Sequence, residues 1–235
     1  MNVIKAKDYE DLSKKAAIFI AARMVQNPRC VLGFATGSTP EGTYSELAAL
    51  NAAGVVDFSE VTTFNLDEYY GLPGDHPQSY RYFMNEKLFS LVNMRSENIN
   101  LPDGMAADPA GDCADYERRI REAGGVGLQL LGIGRNGHIG FNEPGGEFSR
   151  ETCLVELTED TKAANARFFG ADETVPERAI TMGIGTIMRA GEILLIANGS
   201  NKLEILDKMI NGPVTPTVPA SVLQLHNNVT VIYCD

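Results

Sequence analysis

A glycine-rich loop with three polar side chains follows an uncharged run near the middle of the chain. The run covers residues 126 to 133 and has no charged side chain, which is typical of a strand buried on both faces of a parallel sheet. Asn136, His138 and Glu143 then stand among the glycines of GRNGHIGFNEPG. An amide and a carboxylate beside a histidine could fix its tautomer and prepare it for proton transfer. The loop is a candidate acid-base site, and a hydrogen-bonded structural histidine is the alternative.

The same loop has the spacing of a dinucleotide-binding fingerprint. Residues 132 to 137 fit G-x-G-x-x-G, but that motif needs a helix to open at its third glycine. Residues 138 to 148 contain three more glycines and Pro144, without a helical apolar period. A nicotinamide enzyme stays open only because Glu156 has roughly the spacing of a ribose contact. A metal site is disfavoured, since one histidine and one glutamate rarely complete a coordination shell.

A second carboxylate stands at the end of another expected strand. Residues 61 to 66 read as a strand, and Asp67 follows directly. Ligands of open parallel sheets bind at the carboxyl edge of the strands. Asp67 is therefore either a solvated loop charge or a carboxylate aimed into a crevice and able to take a proton.

A strand, a Gly-Ser-Thr turn and a helix N-terminus follow one another at residues 30 to 50. The turn holds Gly37, Ser38 and Thr39, and Thr39 is predicted to be the N-cap of a helix with Pro40 as its first residue. Unpaired amides and the positive end of the helix dipole make such a turn a candidate anion site. A turn and cap without a ligand is the alternative.

Two cations could complete an anion site. Lys202 falls in the first turn of a helix expected up to residue 210, where a positive charge is unfavourable unless an anion lies beside it. Arg167, in a helical segment with Phe168 and Phe169, is its candidate partner. An ordinary surface arginine is the alternative.

The composition limits what partners the chain can have. Its 235 residues, 44% of them hydrophobic, fit a single domain spanning residues 1 to 235. A net charge of -11 opposes sequence-independent binding of nucleic acid. The four cysteines are scattered without a C-x-x-C pair, which indicates reduced thiols. No apolar leader is visible and no window approaches the ~18 apolar residues of a membrane span, so we expect a soluble cytoplasmic protein.

Strands and helices alternate along the chain, which predicts a doubly wound α/β fold. Its sheet would be mostly parallel, with helices on both faces, as in Rossmann-like proteins. Further helices are expected at residues 8 to 25, 79 to 91 and 109 to 123, and further strands at residues 153 to 157, 192 to 197 and 229 to 234. The strand ends after residues 35, 66, 134 and 197 would share one edge. An anion site, a carboxylate, a histidine and a lysine would meet there, which suits proton transfer on a phosphorylated sugar.

Four sequence blocks resemble the glucosamine-6-phosphate deaminase family. They are LGIGRNGHIGFNEPG, TFNLDEYYGLPGDHPQSY, ATGSTP and ANARFF, and the resemblance runs nearly from end to end. It implies isomerisation of ring-opened glucosamine 6-phosphate coupled to loss of ammonia, with neither metal nor organic cofactor. A 6-phosphogluconolactonase, whose family has a related Gly-rich loop, is one alternative. A non-catalytic sugar-phosphate sensor is the other.

The resemblance also implies roles for the candidate residues. His138 would open the pyranose, Glu143 would orient and tune its imidazole, and Asn136 would complete the ring-opening group. Asp67 would move a proton from C2 to C1 through an enolamine. The matching phosphate-binding positions are Gly37, Ser38, Thr39, Arg167 and Lys202.

Three further features bear on regulation and assembly. Many members of the family have an aspartate where this chain has Asn136, so the histidine has one anionic neighbour fewer. Residues 158 to 176 resemble the family's mobile lid, which would close Arg167 onto the phosphate. The chain stops at Asp235, short of the extension of the allosteric hexamers, which predicts an unregulated monomer or small homo-oligomer.

Overall fold

Two β-sheets organise the computed structural model, which describes residues 1–170 and 173–235. Within those residues the strands are β1 (Asn2–Lys5), β2 (Val31–Phe34), β3 (Thr62–Asn65), β4 (Asp67–Tyr70), β5 (Ile99–Asn100), β6 (Leu128–Leu131), β7 (Cys153–Glu156), β8 (Arg178–Thr181), β9 (Glu192–Asn198) and β10 (Val229–Cys234). The larger sheet is parallel, in the order β1-β10-β9-β6-β2-β3-β5. The smaller sheet is antiparallel, in the order β4-β8-β7.

Helices cover both faces of the parallel sheet. They are α1 (Tyr9–Gln26), α2 (Glu41–Ala52), α3 (Tyr80–Lys87), α4 (Pro109–Glu122), α5 (Glu159–Asn165), α6 (Ile184–Ile187) and α7 (Leu203–Asn211). One buried cluster holds side chains of α1, α2 and α3, and a second holds side chains of α4, α6 and α7. The doubly wound α/β prediction is therefore confirmed.

Strand β9 shows how one strand serves both clusters. Leu194 and Ile196 belong to the first cluster, whereas Ile193 and Leu195 belong to the second. Successive side chains of a strand point to opposite faces, so an uncharged run is what a strand between two helical layers requires. Burying each of these side chains contributes about 1.5–3 kcal/mol.

The strand order brings the predicted strand ends to one edge. β9, β6, β2 and β3 are consecutive neighbours and run parallel, so their carboxyl ends lie side by side. Asp67, in contrast, opens a strand of the second sheet, where it pairs with Thr181. The residues after 66, where a loop was expected, therefore form a β-strand of the smaller sheet.

The predicted N-cap at Thr39 is wrong. Pro40 occupies that position with helical angles and without a side-chain cap, and α2 starts at Glu41. The amide of Gly42, which a Thr39 cap would bind, donates instead to the hydroxyl of Tyr9 at 2.9 Å. A side chain from α1 has replaced the local cap.

Other boundaries differ by smaller amounts. Ser79 caps α3 as expected, accepting from the amide of Tyr82 at 3.0 Å, but the helix ends at Lys87 and a 3-10 turn follows. Lys202 precedes α7 as its N-cap residue rather than lying in its first turn. Strands β1 and β5 were not predicted, because one is largely exposed and the other has two residues. Among the described helices, none is long and apolar enough to cross a membrane.

Candidate active site

The loop after β6 brings the imidazole of His138 against the backbone. The amide of Gly134 donates to the carbonyl of His138 at 2.9 Å, and the amide of Gly137 donates to the carbonyl of Gly134 at 3.1 Å. A Cβ on Gly134 would lie 2.4 Å from the ring atoms Cε1 and Nε2, so only glycine leaves room for the imidazole. Residues 132 to 152, all described, contain no helix, which excludes the dinucleotide fingerprint.

His138, Glu143 and Asn136 form one hydrogen-bonded group. Nδ1 of His138 lies 3.3 Å from each carboxylate oxygen of Glu143. Nδ2 of Asn136 donates to Oε2 of Glu143 at 2.7 Å, and its Oδ1 accepts from the backbone amide of His138 at 3.2 Å. The hydroxyl of Thr161 donates to the other oxygen, Oε1. The carboxylate is thus held by donors on both sides and faces the imidazole.

Several opposing effects set the charge of Glu143. Burial alone would raise its pKa, but the hydrogen bond and charge of His138 oppose this, together with hydrogen bonds from Thr161 and Asn136. The result is a pKa of about 2. Glu143 is therefore an anion at any pH at which the protein would work.

Asp67 borders the same loop and is buried. Its side chain is 6% exposed, and its Oδ2 lies 3.4 Å from the position that a Cβ on Gly140 would take, two residues after His138. Burial, and then the negative charge of Glu68, raise the pKa of Asp67 to about 8. A carboxylate with such a pKa is a strong base for its type and is poised near neutral pH.

The turn after β2 is shaped by Gly37 and bonded to Tyr9 of α1. Gly37 has a φ of +100°, a conformation that side chains other than glycine rarely adopt. The hydroxyl of Tyr9 lies 3.0 Å from the carbonyl of Ser38 and 3.2 Å from that of Thr39. These carbonyls are thereby held on the α1 side of the turn. Gly37 and Ser38 are exposed at the sheet edge, within reach of a ligand.

Lys202 lies at the same edge of the larger sheet, in the segment between β9 and α7. Its Nζ donates to the carbonyl of Ile133 at 2.7 Å, at the end of β6. Burial, and then the positive charge of Arg135, lower the pKa of Lys202. Two cations thus lie close together beside the histidine loop, an arrangement that an anion would stabilise. Arg135 was not singled out from the sequence.

Arg167 is not brought to the other candidates. It is exposed, and its guanidinium lies 4.6 Å from the ring centroid of Phe168. It follows α5 within a 3-10 turn, Ala166–Phe168. Residues 171 and 172 of the predicted lid lie outside the described residues.

Sequence reasoning missed Thr161 and Tyr9, which contact the site from distant segments. Thr161 is 18 residues from Glu143, and Tyr9 is 30 residues from Thr39. No spacing rule connects these pairs. In the part of the chain that the structure describes, no three His, Cys, Asp or Glu side chains converge as a metal site would require.

Comparison with known proteins shows the family to which the chain belongs. Residues 7–232 match the family model described as glucosamine-6-phosphate isomerases/6-phosphogluconolactonase. The chain belongs to this family. A relative from Alkaliphilus oremlandii, named glucosamine-6-phosphate deaminase, is 54% identical over 226 residues, which are 96% of this chain and 94% of the relative.

Solved structures of family members share the fold. One described as a monomeric glucosamine-6-phosphate deaminase is 44% identical, with a TM-score of 0.96, and the match covers 100% of this chain and 97% of the other. A 6-phosphogluconolactonase from Thermotoga maritima has a TM-score of 0.79 at 21% identity, covering 99% and 98% of the two chains. The second likeness concerns the fold alone.

Proposed function

We propose that this protein is a glucosamine-6-phosphate deaminase, which converts glucosamine 6-phosphate and water to fructose 6-phosphate and ammonia. The observation that carries the proposal is the hydrogen-bonded group of Asn136, His138 and Glu143 next to the buried carboxylate of Asp67. Such a reaction needs one proton transfer at oxygen and another at carbon, and the site offers a separate group for each. Three relatives that are 51–54% identical over nearly the whole chain are named glucosamine-6-phosphate deaminase.

Ring opening is the task we assign to the histidine group. Nδ1 of His138 faces Glu143, which leaves Nε2 for the substrate. That nitrogen would take the proton of the anomeric hydroxyl and return it to the ring oxygen as the C1–O5 bond breaks. Glu143, ionised and clamped, stabilises the imidazolium that forms between these steps. Asn136 holds Glu143 without adding a second negative charge.

Isomerisation and deamination follow at Asp67. Its carboxylate would remove the proton from C2 of the open aldehyde, giving an enolamine, and return it to C1. The product is an imine at C2, to which water adds and from which ammonia leaves. General-base catalysis of this kind contributes about 10²- to 10⁴-fold. Because a base is most effective when its pKa is near the working pH, a pKa of about 8 suits Asp67 for the step.

The phosphate supplies binding energy away from the reacting carbons. We assign it to the turn of Gly37, Ser38 and Thr39 together with Lys202, and to Arg167 when its segment closes. Neither a metal nor an organic cofactor takes part in these steps. The likeness to a monomeric deaminase supports a monomer or a small homo-oligomer.

Ammonia release from glucosamine 6-phosphate tests the proposal. The wild type should release ammonia and fructose 6-phosphate in equal amounts, and Asp67→Asn should lower kcat about 10³-fold, since an amide cannot accept the proton. The wild-type rate should rise with pH through about 8, where Asp67 is half ionised, and level off above it. The exposed Asp75→Asn is the matched control and should leave the rate unchanged.

Two outcomes would refute this function. Hydrolysis of 6-phosphogluconolactone without ammonia release would make the protein a lactonase. Binding of glucosamine 6-phosphate without turnover of either substrate would make it a sugar-phosphate sensor.

A further inference from the structure

We infer that Thr161 is a positioning residue, whose hydroxyl aligns the Glu143 carboxylate only while helix α5 is docked, and so couples ring opening to the phosphate end of the substrate. The inference rests on the proposed function and adds a residue to it. Thr161 touches neither the imidazole nor the reacting carbons in this assignment. It acts through Glu143.

Two side-chain donors hold the Glu143 carboxylate, one on each oxygen. Asn136 donates to Oε2 and Thr161 donates to Oε1, while Nδ1 of His138 lies at the same 3.3 Å from both oxygens. The two donors fix the rotation of the carboxylate about its terminal bond. Without Thr161, one oxygen is released and the carboxylate can turn away from the imidazole.

Helix α5 is attached to the site through a polar side chain. The helix has seven residues, and Thr161 is the one that it buries, at 7% exposure. Surface helices normally dock through a stripe of apolar side chains. Here the buried contact of the helix is polar and ends on the Glu143 carboxylate. One hydrogen bond thus connects the position of α5 with the orientation of Glu143.

Helix α5 leads directly to Arg167, the phosphate-binding candidate of this segment. Arg167 comes six residues after Thr161, and the helix passes into the 3-10 turn Ala166–Phe168 without an intervening loop. Beyond it, Phe169 is buried against Tyr69 and Phe141. Thr161 and Arg167 therefore lie on one continuous segment, and a movement of Arg167 from Phe168 toward a phosphate would be transmitted to the Thr161–Glu143 bond. Binding of the phosphate would thereby affect the chemistry at C1.

Removing the hydroxyl while keeping the shape of the side chain tests the alignment. Thr161→Val should lower kcat about 10- to 100-fold with KM within about twofold, because an aligned acid-base partner is lost but substrate contacts are not. The acidic limb of the pH-rate profile should stay at its wild-type position, since Glu143, with a pKa of about 2, remains ionised when one of its hydrogen bonds is lost. Thr161→Ser, which keeps the donor, should stay within about threefold of wild type.

Controls separate alignment from loss of structure. Thr174→Val makes the same change at an exposed position of the same segment and should leave kcat and the pH profile unchanged. The Tm of Thr161→Val should stay near that of wild type. If Thr161→Ser is as inactive as Thr161→Val, the hydroxyl is not the active feature and the inference is overturned.

A double-mutant cycle tests the link to the phosphate. If Arg167 acts on kcat through docking of α5, then Arg167→Ala should lower kcat much less in the Thr161→Val background than in wild type. Equal factors in both backgrounds would overturn the coupling. The proposed function stands or falls separately, because it requires only that the wild type releases ammonia. If the wild type is active and Thr161→Val has the same kinetics, the role of Thr161 is refuted while the proposed function remains.

Discussion

At the scale of single residues, Asn136 ties the two ends of the acid-base group together through two hydrogen bonds. Its amide nitrogen donates to Glu143 while its carbonyl oxygen accepts from the backbone of His138. An aspartate could keep the second contact but not the first. It would place a second negative charge 2.7 Å from Oε2 of Glu143, unless the two carboxylates shared a proton.

We expect Asn136→Asp to move the acidic limb of the pH-rate profile upward. An added anion raises the pKa of the carboxylate pair and stabilises the imidazolium, so the group loses its protons at higher pH. The shift should be about half a unit to one unit in a profile of kcat/KM on glucosamine 6-phosphate. Asn85→Asp adds the same charge on the exposed side of α3 and serves as the control. A profile that coincides with wild type would contradict this role of Asn136.

The sequence placed the histidine group well because its members are local. Asn136, His138 and Glu143 lie within eight residues of one Gly-rich loop, so a single turn can bring them together. The roles of these residues stay predictions. Thr161 could not be predicted from the sequence, because its contact depends on how a distant helix docks. A threonine in the first turn of a helix normally has only a local role near the N-cap.

At the scale of elements, helix α1 does more than cover the sheet. The hydroxyl of its first residue, Tyr9, donates to the carbonyls of Ser38 and Thr39 and accepts a hydrogen bond from the amide of Gly42. The hydroxyl thus links the start of α1 to the turn and to the first turn of α2. The candidate phosphate cradle is held from outside rather than by its own cap.

Removal of this hydroxyl should weaken phosphate binding. Tyr9→Phe frees two carbonyls and one amide, and the turn loses a fixed shape that the phosphate requires. We expect KM to rise about three- to tenfold with kcat nearly unchanged, because the reacting carbons are distant from the phosphate. Steady-state kinetics on glucosamine 6-phosphate measure both constants. Tyr82→Phe on exposed α3 is the control, and a KM equal to that of wild type would argue against a role of Tyr9.

The elements themselves were only partly predictable. Apolar runs located β6, β9 and β10, because strands buried on both faces contain little else. The same pattern does not specify the partner of a strand, so the separate sheet of β4, β7 and β8 was missed. The helix start at Glu41 was missed because Tyr9, a tertiary neighbour, takes the amide that a local cap would have bound.

At the scale of the whole molecule, the parallel order brings four strand ends to one edge of the sheet. Lys202, the histidine loop and the candidate anion turn follow β9, β6 and β2 at this edge, and Asp67 opens β4 directly after β3. The convergence required only that the strands be parallel neighbours. Burying Asp67 at this edge has a cost for folding, because the protein interior disfavours its charged form.

Stability should therefore depend on pH through Asp67. The folded-state pKa of about 8 lies above the usual value of 3.8, so the folded protein binds the proton more tightly than the unfolded chain does. As pH rises from about 4 to 8, ionisation progressively favours the unfolded chain, and this contribution to stability is lost. Glu68, whose pKa burial also raises, adds in the same direction but is common to wild type and variant.

Asp67→Asn removes this ionisation and should stabilise the protein at alkaline pH. Its gain in the free energy of unfolding over wild type should grow by about 2 to 3 kcal/mol between pH 5.5 and 8.5, since each unit of pKa difference corresponds to about 1.4 kcal/mol. Urea unfolding of both proteins at the two pH values measures it, with the exposed Asp75→Asn as control. The same substitution abolishes the base, so a more stable and inactive variant is expected. A gain that is equal at both pH values would mean that Asp67 is ionised throughout, and its assignment as a base poised near neutral pH would fail.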